Sequence, residues 1–579
     1  MKPAVPHSLS LAVACGAALM SSAPARADTA SEIRALKKRL GQLEAMVARQ
    51  HKEERDAKSV AARGNVANAA HVKGDIKGPP QPQPVFVSFR NGLFVETEDK
   101  AWNFKVGGRM QFDGGFSSQP LNGWGSQAGV RQVRLEVEGT AAKYFFYKLQ
   151  YDFAGAQYGG PTNAPVQGGI RDFYLGIQHP LLTLPFAKDP AIIHVGSYFE
   201  PFSLEFTASS RFRDFIERAM PVDAIAPNRH LGAAIGAYGA DWSAKGGIFT
   251  TSFEDLSTNP GVHTPAPLWV PAAANWATTG GSQYFDLTGR VTYAPIKTEH
   301  DLLHVGVSGR YHRPNDATGA SDDRVLRLGN RVRSEEYILN QGLLGTPDMS
   351  CGTVTFANKS AVAGHCVSDV ESFGVELSAA HGPFSLQAEY LGTQYNRNMG
   401  NVLQARAAGN FAPGGSSHYF SGFYVYGQWY VTGEERAAAY NVSDRLGANF
   451  TQIKIKNPVS AGGFGALGLA ARYSEVNFNS GPYSGSGLFN MLAASPNAAT
   501  TAAIVNSGVY GGRQENVTAG LNWYPENGFH IQANWTRAMH VSAPLNDYNI
   551  VATGVPVRQG AYMNGAHPNL FEVRAQVYW

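Results

Sequence analysis

Phe571-Glu-Val-Arg-Ala-Gln-Val-Tyr-Trp579 is the stretch on which the fold turns. Successive side chains of an extended strand point to opposite faces, so Phe571, Val573, Ala575, Val577 and Trp579 share one side and Glu572, Arg574, Gln576 and Tyr578 the other. One face is apolar and the other carries charge. An amphipathic strand that runs to a terminal aromatic is expected to pair with the first strand and close a barrel, because closure leaves no edge on which another chain could add.

The same period of two runs back through the chain. Phe104, Val106, Met110 and Phe112 alternate with Lys105, Arg109, Gln111 and Asp113, and Val133, Leu135 and Val137 with Gln132, Arg134, Glu136 and Glu138. Tyr147, Leu149 and Tyr151 oppose Lys148, Gln150 and Asp152, while Leu287 and Val291 oppose Asp286 and Arg290, and Val305 and Val307 oppose His304, Ser308 and Arg310. A soluble antiparallel sheet shows the same alternation, so the connections decide. Short turns such as His381-Gly-Pro383 and Pro525-Glu-Asn-Gly528 alternate with long Gly/Ser/Asn/Pro-rich stretches such as 396–418 and 479–514, which is the rim asymmetry of an outer-membrane barrel. Trp102, Trp429 with Tyr430, Trp523 with Tyr524, Trp535, and Tyr578 with Trp579 lie near strand ends, where interfacial girdles belong. Roughly 490 residues at about 30 per strand predict an all-β transmembrane antiparallel barrel of about 16 strands, wide enough for an aqueous lumen.

Composition agrees. Charged residues make up 16% of the 579, against about 25% in soluble domains, and Gly is plentiful at 64. No segment reaches the roughly 18 apolar residues of a spanning helix, so a membrane role requires strands. Leu9 to Met20 is the one long apolar run; with Lys2 before it and Ala25-Arg-Ala27 after it, residues 1–27 read as a signal peptide cleaved before Asp28. Cys15 lies in this leader, but Ala12 stands where a lipidation motif wants a larger apolar residue. Ile33, Leu36, Leu40, Leu43 and Val47 form a heptad seam, predicting a short periplasmic coiled-coil helix over 28–56, followed by a Pro/Gly-rich linker over 57–84 and the barrel over 85–579. Cys351 and Cys366 stand close together in a polar stretch exposed to an oxidising compartment, so a loop disulfide is expected in preference to a metal site, worth about 3 kcal/mol by chain entropy. The net charge of +3 says little about partners, because only charges facing the lumen act on a solute.

Several segments resemble one family in order and spacing: Arg134-Leu-Glu-Val-Glu-Gly139, Tyr151-Asp-Phe-Ala-Gly155, Val195-Gly-Ser-Tyr-Phe-Glu-Pro-Phe-Ser-Leu-Glu205, Phe215-Ile-Glu-Arg-Ala-Met-Pro221, Gly382-Pro-Phe-Ser-Leu-Gln387, Tyr430-Val-Thr-Gly-Glu434, Leu469-Ala-Ala-Arg-Tyr-Ser474 and Gly520-Leu-Asn-Trp-Tyr-Pro525. From about Asn103 to Trp579 the chain is similar to the phosphate-selective porins O and P. The resemblance implies a homotrimer of barrels in outer-membrane lipid, each with an inward-folded loop that narrows a passive pore. That loop is expected near 207–231, where the alternation breaks and Arg211, Arg213, Arg218 and Arg229 stand among Asp214, Glu217 and Asp223. Forked guanidinium groups suit small anions such as phosphate or carboxylates. The alternative role for these arginines is to pair with the acids and hold the loop to the wall.

Expected lumen-wall residues are Lys105, Arg109, Arg134, Lys148, Glu200, Arg290 and Arg310. Many family members carry Lys before a Pro-Phe-Gly-Leu-Glu-like segment where this chain has Glu200, which argues against a strong phosphate site. The chain has no Gly-x-Ser-x-Gly, no His-Glu-x-x-His and no phosphate-cradling Gly loop, so no enzymatic activity, cofactor, metal or nucleic-acid partner is expected. The competing function is an envelope-anchoring barrel whose coiled coil tethers it to the cell wall.

Overall fold

The computed structural model describes residues 84–117, 125–154, 169–250, 285–314, 366–407, 414–482, 507–542 and 567–579, with short pieces at 331–332, 335, 344–346, 349, 354–355, 361–362 and 565. The expected signal peptide, coiled-coil helix and all but the last residue of the linker lie outside the described residues, as does Cys351.

A hairpin of β1 (Val85–Phe89) and β2 (Leu93–Thr97) precedes sixteen wall strands: β3 (Asn103–Ser117), β4 (Ser126–Ala141), β5 (Phe145–Asp152), β6 (Gly169–Gln178), β7 (Asp189–Phe199), β8 (Arg229–Tyr238), β9 (Trp242–Phe249), β10 (Phe285–Lys297), β11 (Asp301–Arg313), β12 (Val367–His381), β13 (Phe384–Arg397), β14 (Ser417–Tyr430), β15 (Ala466–Ser480), β16 (Val509–Tyr524), β17 (Phe529–Ser542) and β18 (Asn569–Tyr578). Each wall strand pairs antiparallel with the next, and β18 returns to β3 in a register running from Leu570 opposite Ser117 to Tyr578 opposite Arg109. The ladder is closed, as the period of the last strand implied. Where β18 stops, Trp579 N donates to Gly108 O at 3.1 Å, and β2 takes over the same edge of β3 from Val106 to Asn103. The sixteen-strand wall begins at Asn103, and residues 85–97 form a rim hairpin of the same sheet that covers the edge of β3 beyond β18.

The barrel is apolar outside and polar inside. Val573, Phe112 and Val291 are about half exposed (52%, 50% and 52%), while Gln111, His304 and Arg574 on alternate positions are fully buried at 0%. Lipid is the medium that makes this arrangement stable. The girdle expectation is halved by the same alternation. Trp429 stacks on Phe384 at 6.0 Å and Trp523 on Phe464 at 5.5 Å on the outer face, whereas Tyr430, Tyr524 and Tyr578, each one residue away from a Trp, turn inward and are buried.

Much of the hydrophobic core lies inside the barrel against β10–β16 and is built by segments that leave the wall, while a further cluster of Phe146, Tyr174, Ile192, Tyr198, Ala234, Tyr238 and Phe249 lines β5–β9 and packs on Leu446 of the 431–465 connection. Residues 200–228, between β7 and β8, bury Phe202, Phe206, Phe215, Met220 and Val222 against Leu391, Tyr424, Tyr426, Phe420 and Ala470, and Leu204 against Ala294, Leu302 and Ala380. Leu344 and Met349, between β11 and β12, join Met220 in one cluster, and Glu335 nearby reaches Arg472 at 3.0 Å. The third segment contradicts the expectation of short turns on one rim. Residues 431–465 connect β14 to β15 on the rim that holds the two-to-four-residue turns, yet Ala437, Phe450, Ile453 and Ile455 pack inside the barrel.

Candidate functional site: a cation-lined path beside the inward segments

Pro201 has no amide hydrogen to give a ladder, so β7 ends at Phe199 and the chain turns in at Glu200, earlier than the expected 207. Ser203 caps helix α1 (Leu204–Thr207), its Oγ accepting from Phe206 N at 3.1 Å, and Glu389 of β13 accepts from the amides of Leu204 (3.1 Å) and Glu205 (2.8 Å). Opposite-wall side chains hold the middle of the segment. Asn522 donates to Asp214 O at 2.8 Å, Gln532 to Arg213 O at 3.0 Å, Arg574 to Ile216 O at 2.7 Å and Arg472 to Glu217 O at 3.1 Å. The Asp214 carboxylate accepts from Tyr426 at 2.9 Å and pairs with Arg436, which comes from the 431–465 segment. Helix α2 (Met220–Ile225) then leads back to the wall at Arg229, the first residue of β8. Arg229 is thus a wall residue and not part of the loop.

The four expected arginines divide by exposure. Arg213 is buried, with Glu217 its one carboxylate partner among the described residues at 3.9 Å, and burial together with the nearby Arg218 pushes its guanidinium down to about 9. Arg218 keeps partial exposure, lies 4.2 Å over the Phe206 ring and donates to Phe206 O at 3.1 Å. Arg229 pairs with Asp172 at 2.7 Å and covers the Phe199 ring at 3.7 Å. Arg211 pairs with Glu136 and keeps 15% of its side-chain surface. Glu217 is the central acid: burial alone would raise its carboxyl, but Arg131, Arg574 and Arg213 outweigh that and hold it well below the usual carboxylate range.

The expected wall residues all face inward. Arg109 donates to Ser210 Oγ at 2.6 Å, Arg134 to Asp152 at 2.7 Å, and Lys148 lies 3.4 Å from Glu136 and 3.3 Å from Glu138. Lys105 stands opposite Glu138 near the β2 rim. Arg290 and Arg310 are on the other side of the lumen and are committed to buried acids, Arg290 to Glu376 at 2.7 Å and Arg310 to Asp286 at 2.8 Å. Glu200 is fully buried and hydrogen-bonds His230 and Thr288.

Two cations were hidden from the period-two reading by β-bulges. The β3–β4 register slips between Gln111 and Phe112, so Arg131 is the extra residue and reaches inward to Glu217 at 2.9 Å. The β5–β6 register slips between Leu149 and Tyr151, which turns both Arg171 and Asp172 into the lumen, Arg171 reaching Asp152 at 3.6 Å. Arg445 was missed because it lies on the long connection; its guanidinium sits 4.4 Å over Phe146 on the inner face of β5. Along β3–β6 and the facing surface of the inward segment, Lys105, Arg109, Arg131, Arg134, Lys148, Arg171 and Arg211 outnumber Asp113, Glu136, Glu138, Asp152, Asp172 and Glu217 by one, and Asp113 is spent on Arg574 of β18. Lys105, Arg131, Glu138, Lys148, Arg171, Asp172, Arg211 and Arg218 keep partial exposure there, while apolar clusters lie on the β10–β16 side and along β5–β9. A family profile described as phosphate-selective porin O and P matches residues 104–579. The chain belongs to this porin family.

The porin is 24% identical over 467 residues to Porin O of Pseudomonas aeruginosa (strain PAO1), covering 78% of this chain and 87% of that one. It is 23% identical over 488 residues to an uncharacterized protein of Caulobacter vibrioides, covering 83% and 75%. Among solved structures, the outer membrane channel DcaP of Acinetobacter baumannii aligns over 84% of this chain and 99% of its own at 11% identity and a TM-score of 0.40. The family and the closed, lipid-facing barrel make this porin an outer-membrane channel protein of a Gram-negative bacterium.

Proposed function

We propose that the porin conducts small anions, phosphate-like or carboxylate solutes, by passive diffusion along the β3–β6 side of the lumen. The cation excess there carries the reading: a solute in this path meets partly exposed Arg and Lys on the wall, with Arg211 and Arg218 beside them on the inward segment, while much of the β10–β16 side is packed. The acids temper the field, so the preference is weak; Glu200, turned into a buried cluster, adds nothing attractive to a phosphate. Arg213 serves the inward segment, and Arg211 and Arg229 serve both that segment and the solute. The assembly is proposed to be a homotrimer, with the Ile33–Val47 seam in the periplasm and within reach of the cell wall. No catalytic role is assigned.

The test is the zero-current potential of the mature protein in planar bilayers under a KCl gradient. A potential on the chloride side of zero is expected, and one on the potassium side would reject anion preference. Loss of all conductance in correctly folded protein would favour the anchoring role instead.

A further inference from the structure

Both feet of the inward segment carry metal-ligating side chains. Glu200 at one foot, His230 at the other and Asp286 on β10 each present a ligand atom, and these atoms all lie within 4.8 Å of one another. His312 on β11 places Nδ1 2.6 Å from Asp286 Oδ1, adding a second imidazole to the same carboxylate. Glu200 and Asp286 have no exposed side-chain surface, and His312 keeps 2%.

We propose that this cluster binds one divalent transition-metal ion, with Glu200, His230 and Asp286 as ligands and His312 as a fourth. Two imidazoles and two carboxylates suit Zn2+ in tetrahedral geometry. Three atoms no more than 4.8 Å apart lie within about 2.8 Å of a common centre, so shifts under about 1 Å bring them to the ~2.0–2.2 Å of zinc ligands. Charge supports the assignment. Arg310 lies 2.8 Å from Asp286 and 3.8 Å from Glu200, while His230 pairs with Glu200 and His312 with Asp286. A divalent ion bound by neutral imidazoles would bring two positive charges against these two buried carboxylates, displacing any protons the imidazoles carry. Thr288, which donates to Glu200, orients that ligand from outside the set. The ion would join Glu200 and His230, which bracket the inward segment, to β10 and β11, and so fix the angle at which the segment enters the lumen. None of this depends on which ion the channel prefers.

The experiment is isothermal titration of the tag-free, chelator-stripped mature protein in detergent with ZnCl2. One equivalent per chain is expected, with Asp286→Asn and Glu200→Gln each weakening binding by about 100-fold or more, and His418→Gln, a lumen histidine outside the cluster, leaving it unchanged. If either acid variant fails to fold, Co2+ titration of the wild type replaces it: one equivalent with visible ligand-field bands of a four-coordinate site is expected, displaced by one equivalent of Zn2+. No saturable zinc binding by the wild type, affinity unchanged in both folded acid variants, or cobalt that binds only with the spectrum of the hydrated ion would overturn the proposal and leave an ion-pair network.

Discussion

Replacing Arg211 and Arg213 separately distinguishes a charge that meets the solute from one that holds the segment. Arg211 keeps 15% of its surface and faces the cationic path, whereas Arg213 keeps 5% and lies behind the segment. An ion passing about 5 Å from a guanidinium in water feels about 0.8 kcal/mol. Screening with a Debye length of about 8 Å roughly halves this, to ~0.4 kcal/mol, a factor of about two in occupancy. Anions lose that factor and cations gain it, so Arg211→Gln should lower the anion-to-cation permeability ratio by about fourfold, and by more if the path is drier than bulk water. Arg213→Gln should leave the ratio within error of the wild type; it removes a buried charge that lies 3.9 Å from the Glu217 carboxylate. Zero-current potentials of both variants in the same salt gradient measure this, with heat-modifiable gel mobility confirming the folded barrel. An unchanged ratio in Arg211→Gln, or a loss confined to Arg213→Gln, would refute the assignment of the path to the β3–β6 side.

Acid should release the inward segment. Glu217 is held below the usual carboxylate range, so its stabilising contribution is present above the unfolded value of about 4.3 and lost as pH falls through the lower folded value. Channel noise and protease sensitivity of the segment should therefore be flat from about pH 8 to 5 and rise below about 4, and a rise centred near neutrality would contradict the role of Glu217. Ser203 sits at a φ of 61° and ψ of 136°, where a side chain is strained, so Ser203→Gly should stabilise the barrel by about 1 kcal/mol after the few tenths lost from the cap; a lower unfolding midpoint would show that the cap dominates. Cys366 is disulfide-bonded and packs on Val402 and Ala405 of the 399–407 helix, away from the path. Replacing Cys351 and Cys366 by Ser should leave conductance and selectivity intact while lowering thermal stability, and a changed selectivity would place that loop over the pore.

Alternation was legible wherever the ladder is regular, because period two depends only on local geometry. Phe571 to Trp579, Phe104 to Asp113 and Val133 to Glu138 lie on the faces the sequence implied, and the strand number agrees. Arg131, Arg171 and Asp172 were not legible, since a bulge shifts the phase by one residue and depends on the partner strand's register. The same dependence explains Val85–Thr97: its residues read as strand, but where that strand docks was set by how far β18 extends along β3.

By itself the sequence determined a closed barrel in lipid, its polar interior, its strand number and its family, all properties carried by residues a few positions apart. The tertiary structure decided how the interior is divided. Which arginines face water and which are spent on Glu217, Asp214 or Glu376 follows from where residues 200–228 and 431–465 fold inside the wall, and those contacts join groups hundreds of residues apart, such as Arg574 and Glu217. A charge has the same letter in either place; burial and the distance to its counter-charge make it an anchor or a selector, and both are set only when the barrel closes around its own segments.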